Sequence, residues 1–313
     1  MESLVSRADL ESLLATLERQ TVDPRAGLFG PNSITWKISR ESALFLGSGR
    51  AALLQLAHPW VAAAIAEHST VLNNPVARFH NTFRIVFAMI FGSRDQAFAA
   101  ARHLHTLHTH IRGELPEAVA GWPHHAHYEA NELAALCWVF GTLIEGAVLA
   151  YESVLPLTAM EREQYYQESR TLAALFGIPS SALPADWAAF TEHNRSMHES
   201  DVLGVNAKAR AMGEAILSGA GSWIHPPRWY GALTAAWMPP RLRDEFGLQT
   251  NDRVLTRAVR WLPCFYTALP ATLRFVGPYH EALARLRGRD ENWLTRRNNT
   301  FWIGEPLLPF RSR

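Results

Sequence analysis

Two stretches of the 313-residue sequence set chemistry-bearing side chains into apolar helical repeats. The first, Pro75 to Phe91, carries Arg78 and Thr82 four residues apart. The second, Asp95 to Arg112, carries His103, His105, His108 and His110. At about 100° of turn per residue, Arg78, Phe79, Thr82, Ile85, Val86 and Met89 share one face of the first helix. A guanidinium in such a stripe stays charged, and is tolerable only beside an anion that takes its donors. In the second helix the apolar face is Ala97, Ala100, Ala101, Leu104, Leu107 and Ile111. His108 lies roughly 50° from the centre of that face, and the other three histidines roughly 90–110°. His108 is thus expected to point inward, with Arg112 one turn later on the same side. One imidazole, one or two arginines and apolar walls are what a haem asks for: a ligand for iron, cations for the propionates and cover for the macrocycle. The same residues also fit a core or rim histidine with satisfied hydrogen bonds, a solvated face, or a zinc site.

The elements that position these residues read as helices throughout, with no period-2 strand pattern and no repeat. Residues 1–20 alternate charges with leucines as an amphipathic helix, and Thr21–Asn32 is a Pro/Gly linker loop. The most apolar window, Ala43 to Ala66, contains Arg50, Gln55 and His58-Pro59, which would be costly in lipid. It is read as a buried helix hairpin or a helix kinked at Pro59, not as a membrane span. Gly47-Ser48-Gly49 permits close approach of another helix or a flat ligand. A turn is expected at Asn73–Pro75, a loop at Glu114–Trp122, and a long apolar helix over Ala130–Tyr151. Glu145 sits in the middle of that helix and needs a core Arg, His or hydroxyl. Thr158-x-x-Glu161 has the form of a capping box opening a helix through Leu175, closed by Gly177–Pro184. One or two helices follow over Trp187–Gly219. The tract with Trp223, Trp229, Tyr230, Trp237 and four prolines is expected to be a lid or an inter-helix loop. One or two helices over Arg253–Arg289 precede an irregular tail. The division is 1–34, N-terminal helix and linker; 35–290, the helical domain; 291–313, C-terminal tail.

With 48% hydrophobic and 19% charged residues the chain can bury a sizeable core, and a net charge of +1 without a basic run gives no reason to expect nucleic acid. Cys137 and Cys264 lie far apart in apolar runs, so neither a disulfide framework nor a zinc knuckle is read from them. Cys-x-x-Cys-His is absent, so a haem would be held without thioether links. The N-terminus lacks the basic start, apolar core and cleavage site of a secretory signal, and the expected location is cytoplasmic. No Glu-x-x-His occurs, which disfavours a ferritin-like di-iron bundle, and no His-Glu-x-x-His, which leaves a zincin unsupported.

The run Trp36…Ser39-Arg40-Glu41…Arg50-Ala51-x-Leu53-x-Gln55-Leu56-Ala57-His58-Pro59…Glu67-His68-Ser69 resembles the DUF2236 family, which groups latex-clearing rubber oxygenases with MpaB-type oxygenases. The likeness continues through Arg78-x-x-x-Thr82, Phe91-Gly92, His108-x-x-Ile111-x-Gly113, Tyr128-x-Ala130, Trp138, Tyr165-Tyr166-x-Glu168, Gly177-Ile178-Pro179, Leu183-Pro184 and Leu269-Pro270. Each piece is weak, but their order across roughly residues 35–290 is specific. The resemblance implies an all-α domain with a globin-related core and a non-covalent haem b. It implies His108 as the axial iron ligand, matches Arg78 and Thr82 to the rubber oxygenases' Arg-x-x-x-Thr pair, and matches Arg112 to the arginine four residues after the axial histidine. His105 stands where rubber oxygenases have an arginine, at the edge of the pocket.

The expected function is therefore a haem b-dependent oxygenase that uses O2 on a lipophilic, prenyl-like or unsaturated small molecule; without an export signal, intact polyisoprene is a poor candidate. The alternative is a haem-binding sensor or carrier with the same site and no turnover, and the remaining possibility is a purely structural helical protein.

Overall fold

The computed structural model describes residues 3–68, 75–220 and 225–310. Its described residues form sixteen α-helices, two 3-10 turns and one two-stranded ribbon, an all-α architecture. The turn expected at Asn73–Pro75 falls largely outside the described residues, as do Ser69 and Trp223.

The N-terminal helix α1 (Arg7–Gln20) is opened by a capping box in which the Ser6 and Asp9 side chains each bond the other's backbone amide. Ahead of it the chain runs as a short strap. Val5 donates to the Asn131 carbonyl at 2.9 Å, and Leu133 donates to the Ser3 carbonyl at 2.9 Å. Helix α2 (Ile34–Ser39) and a 3-10 turn (Ser42–Gly47) lead into α3 (Ser48–Leu56) and α4 (Pro59–His68). The apolar window is thus two helices broken at Ala57–His58, as the proline requires. Pro59 opens α4, where its missing N–H costs nothing. Gly47 answers to tight helix packing: a Cβ there would overlap the Gly146 carbonyl oxygen.

Gly146 belongs to α7 (Leu133–Glu152), the central helix, which packs on α2, the 3-10 turn, α3 and α8 (Ala159–Leu175). Its 20 residues are long and apolar enough to cross a bilayer, but most of its surface is buried by the other helices. Thr158 and Glu161 form the expected capping box at the start of α8.

Between α4 and α7 lies an antiparallel hairpin of α5 (Pro75–Phe91) and α6 (Arg94–Thr109), turned through Gly92 and capped by Ser93 on Gln96. Helix α6 stops three residues short of the expected Arg112. After His110 the backbone leaves the helix, and Arg112 pairs with Glu129 where β1 (Arg112–Glu114) meets β2 (His127–Glu129). A strand that far along the chain gives no local sign, and it claims residues the helical pattern would have continued through.

Two further expectations are corrected. Over its described residues the proline-rich aromatic tract is largely helical rather than a loop: after α9 (Trp187–Glu199) and α10 (Ala207–Ser218) it forms α11 (Arg228–Trp237) and α12 (Pro240–Glu245). Each Pro-Pro pair stands at a helix start, where fixed φ favours initiation. The C-terminal segment is likewise ordered. Following α13 (Asp252–Ala268), α14 (Ala271–Arg274) and α15 (Gly277–Leu286), helix α16 (Trp293–Ile303) docks on α15 and α5. Its buried Asn299 donates to the buried Glu281 at 2.7 Å.

Candidate active site

The hairpin brings Arg78, one turn into α5, opposite His108 in the last turn of α6. The two are close enough for the guanidinium to act on the imidazole electrostatically. Helix α6 buries Ala97, Ala100 and Ala101 and half-buries Leu104, His105 and His108, while Leu107 is 44% exposed. The inward stripe is therefore rotated by roughly 30° from the symmetrical wheel, toward the histidines and away from Leu107. His103 and His110 are exposed; His103 lies against the Phe310 ring at 5.3 Å.

His108 titrates well below its ordinary value, at about 4, first because of burial and then because His105 and Arg78 add positive charge nearby. A helix C-terminus favours the protonated form, yet burial prevails here. The imidazole is consequently neutral at pH 7 and keeps a nitrogen lone pair free to ligate. The Asn131 side chain is the one hydrogen-bonding influence in the other direction. Asn131 is 8% exposed, and its amide nitrogen donates to the His105 carbonyl at 3.2 Å and to Thr109 Oγ1 at 3.3 Å. With its nitrogen so committed, its carbonyl oxygen is the atom left to accept from an imidazole N–H. Sequence reading passed over Asn131; its only sign was a lone amide just before a long apolar helix.

His105 turns its Nε2 to the Val5 carbonyl oxygen at 2.9 Å, so the N-terminal strap closes the edge of the site. Arg78 is half-buried, and burial alone lowers its pKa. It makes no hydrogen bond or ion pair with another described residue, although a guanidinium carries five donors. Thr82 follows one turn along α5, half-buried. Beyond it the Phe79, Phe83 and Phe87 rings form a ladder against Phe45, which stacks on Trp302 at 4.0 Å. Arg112 is not part of this group: it lies exposed on β1 rather than one turn along α6 from His108.

A second polar centre lies around α7. Arg50 is 4% exposed, donates from Nε to the Trp237 carbonyl at 2.8 Å and pairs with Glu145 at 2.8 Å. This is the partner the sequence required for Glu145. His198 Nε2 approaches the same carboxylate at 3.9 Å and is held below its ordinary pKa chiefly by burial. His58, 3% exposed between Trp60 and Trp122, is pushed down to about 4 by burial, and its Nδ1 has no partner.

His58 sets a pH dependence. Unfolded, it takes up a proton near its ordinary value of 6.5; folded, it stays neutral down to about 4. Between those limits the unfolded chain binds the extra proton, so stability falls as pH falls. The slope from this one residue reaches about 1.4 kcal/mol per pH unit. Urea midpoints from pH 7 to pH 5 should decline, and His58→Gln should lessen the decline by its own share, His108 contributing in the same direction. A profile unchanged by the substitution would remove His58 as its source.

Among the described residues no three His, Cys, Asp or Glu side chains gather as a metal cluster. What the hairpin offers is one neutral imidazole near one cation that has no anion among the described residues, on a helical frame. In class the chain is an oxidoreductase of the oxygenase type. Residues 36–273 match the ER-bound oxygenase mpaB/B'/rubber oxygenase catalytic domain, and the chain belongs to that family. Neither a curated protein nor a solved structure matches it. Membership implies O2 and a small-molecule substrate. The matched span contains Arg78, Thr82, His105, His108, Arg112 and Asn131.

Proposed function

We propose that the chain is a haem b-dependent oxygenase acting on a lipophilic, unsaturated small molecule of prenyl type, with a globin-related core around the haem. The observation that carries this reading is the neutral His108 beside Arg78, a cation without an anion among the described residues. This donor set fits haem: one imidazole nitrogen for iron and one guanidinium for a propionate. When bound, haem supplies a redox-active iron with a face open to O2.

The chain's own residues do the rest. His108 would hold the iron through one nitrogen, while Asn131 would accept a hydrogen bond from the other and fix the ring's orientation. Arg78 would neutralise a propionate, and Thr82 lies one turn along the same helix as a hydroxyl for substrate or oxygen. His105, tied to Val5, borders the pocket. The phenylalanine ladder supports an apolar substrate and excludes water from its side of α5.

The decisive experiment is an absorption spectrum of the purified protein, oxidised and dithionite-reduced. A Soret band whose pigment extracts completely into acidified butanone supports non-covalent haem b. Protein that stays colourless after expression with added haem precursor overturns the reading. Oxygen uptake with prenylated alkenes then separates a catalyst from a carrier.

Arg78→Met tests the propionate role. A charge-assisted hydrogen bond contributes roughly 1.5–3 kcal/mol, so haem transfer to apomyoglobin should speed up about tenfold or more while circular dichroism stays unchanged. An unaltered transfer rate would assign Arg78 to another anion.

A further inference from the structure

Helix α13, the turn after it and α14 expose Trp261 (50%), Phe265 (70%), Leu269 (40%) and Leu273 (59%). Trp261 and Phe265 stand one helical turn apart with ring centroids separated by 6.0 Å, so they form one continuous aromatic ridge. The helix is not loosely placed. Its other face is anchored by Tyr266, whose hydroxyl donates to Glu41 at 2.9 Å and accepts from the Ala43 amide at 3.1 Å. Leu262 packs there beside Ala43 and Val154. The aromatic ridge thus faces outward by construction.

The charge along the ridge is chiefly positive. Arg253, Arg257 and Arg260 are exposed, and none forms an ion pair with another described residue. The Arg260 guanidinium lies 5.5 Å from the Trp261 ring. Asp252 is the single acid between residues 251 and 275. An aromatic ridge beside basic residues on an amphipathic helix is the chemistry of an interfacial anchor, in which rings enter the headgroup layer and cations meet anionic lipid. A second copy is a poor occupant, because a two-fold contact on this ridge would bring two sets of arginines together.

We propose that α13 is a docking surface for an anionic lipid bilayer. Trp261 and Phe265 seat at the level of the headgroups, Leu269 and Leu273 extend the apolar contact, and the three arginines supply preference for negatively charged lipid. The inference is independent of haem.

The test is co-sedimentation of the full chain with vesicles of phosphatidylcholine alone, or with phosphatidylserine added at about 30 mol%. The expected result is binding to the mixed vesicles that weakens as salt is raised. Trp261→Ser with Phe265→Ser, and separately Arg257→Glu with Arg260→Glu, should each reduce partitioning about tenfold or more. These side chains are exposed, and thermal melting of each variant verifies the fold. Wild-type protein that ignores the mixed vesicles, or variants that bind them equally, overturns the proposal. So does a wild-type dimer in lipid-free buffer that becomes monomeric on loss of Trp261 and Phe265, which would give the ridge to a second copy.

Discussion

His108→Ala protein is expected to purify without a Soret band and without oxygenase turnover, while His105→Ala and His110→Ala keep both. Geometry and electrostatics select the same residue. Of the four histidines on or next to α6, His108 is held neutral by burial and lies within electrostatic reach of Arg78, while His103 and His110 face outward. His105 is half-buried too, but its Nε2 is engaged with the Val5 carbonyl oxygen. Its loss should loosen the pocket edge and shift the band rather than abolish it. Asn131→Ala should give an intermediate result, with the band retained and its position altered, because the ligand remains while its orienting acceptor is gone. Spectra of the variants, reconstituted with equal haem, decide the matter. Retention of haem in His108→Ala with loss in His105→Ala would move the ligand one turn back along α6.

Glu145→Lys is expected to be the most damaging single change away from that site. Its partner Arg50 has a side chain 5% exposed, against 24% for Glu145 itself. Taking one member from a buried ion pair costs about 3–5 kcal/mol, and a lysine adds repulsion to the orphaned guanidinium. Domains of this kind have about 5–15 kcal/mol in all, so the variant should unfold at much lower urea or fail to accumulate. Glu145→Gln keeps an acceptor for Arg50 Nη1 and should lose distinctly less. Equal losses would show that the negative charge, and not the hydrogen bond, holds α3 to α7.

Helical arithmetic read out Arg78 and His108 because both lie within long periodic elements, where the wheel holds. The same arithmetic misplaced Arg112 and over-buried Leu107, for two different reasons. Arg112 is captured by Glu129 in a ribbon whose partner strand lies beyond a loop, a pairing that periodicity cannot register. Leu107 is exposed because the helix turns its histidine side inward, which depends on what packs there. Glu145 announced a need for a partner without naming it; Arg50 sits on another helix. The proline pairs before α11 and α12 were legible as punctuation but not as to which side of them the helix begins. Asn131 was invisible for the same reason as Arg112: its importance comes from α6, a neighbour in space alone.

The strap that ends at Val5 has a practical consequence for whoever purifies the protein. Residues fused ahead of Ser3 would start beside the His105–Val5 contact and the Asn131 amide. A polyhistidine handle there would deliver a string of extra imidazoles to the rim of the candidate iron site. Those imidazoles could compete for the metal and mask the phenotype of His108→Ala. Ligand assignments by spectroscopy are therefore best made with the affinity handle at the other end of the chain, or removed before the cuvette is filled.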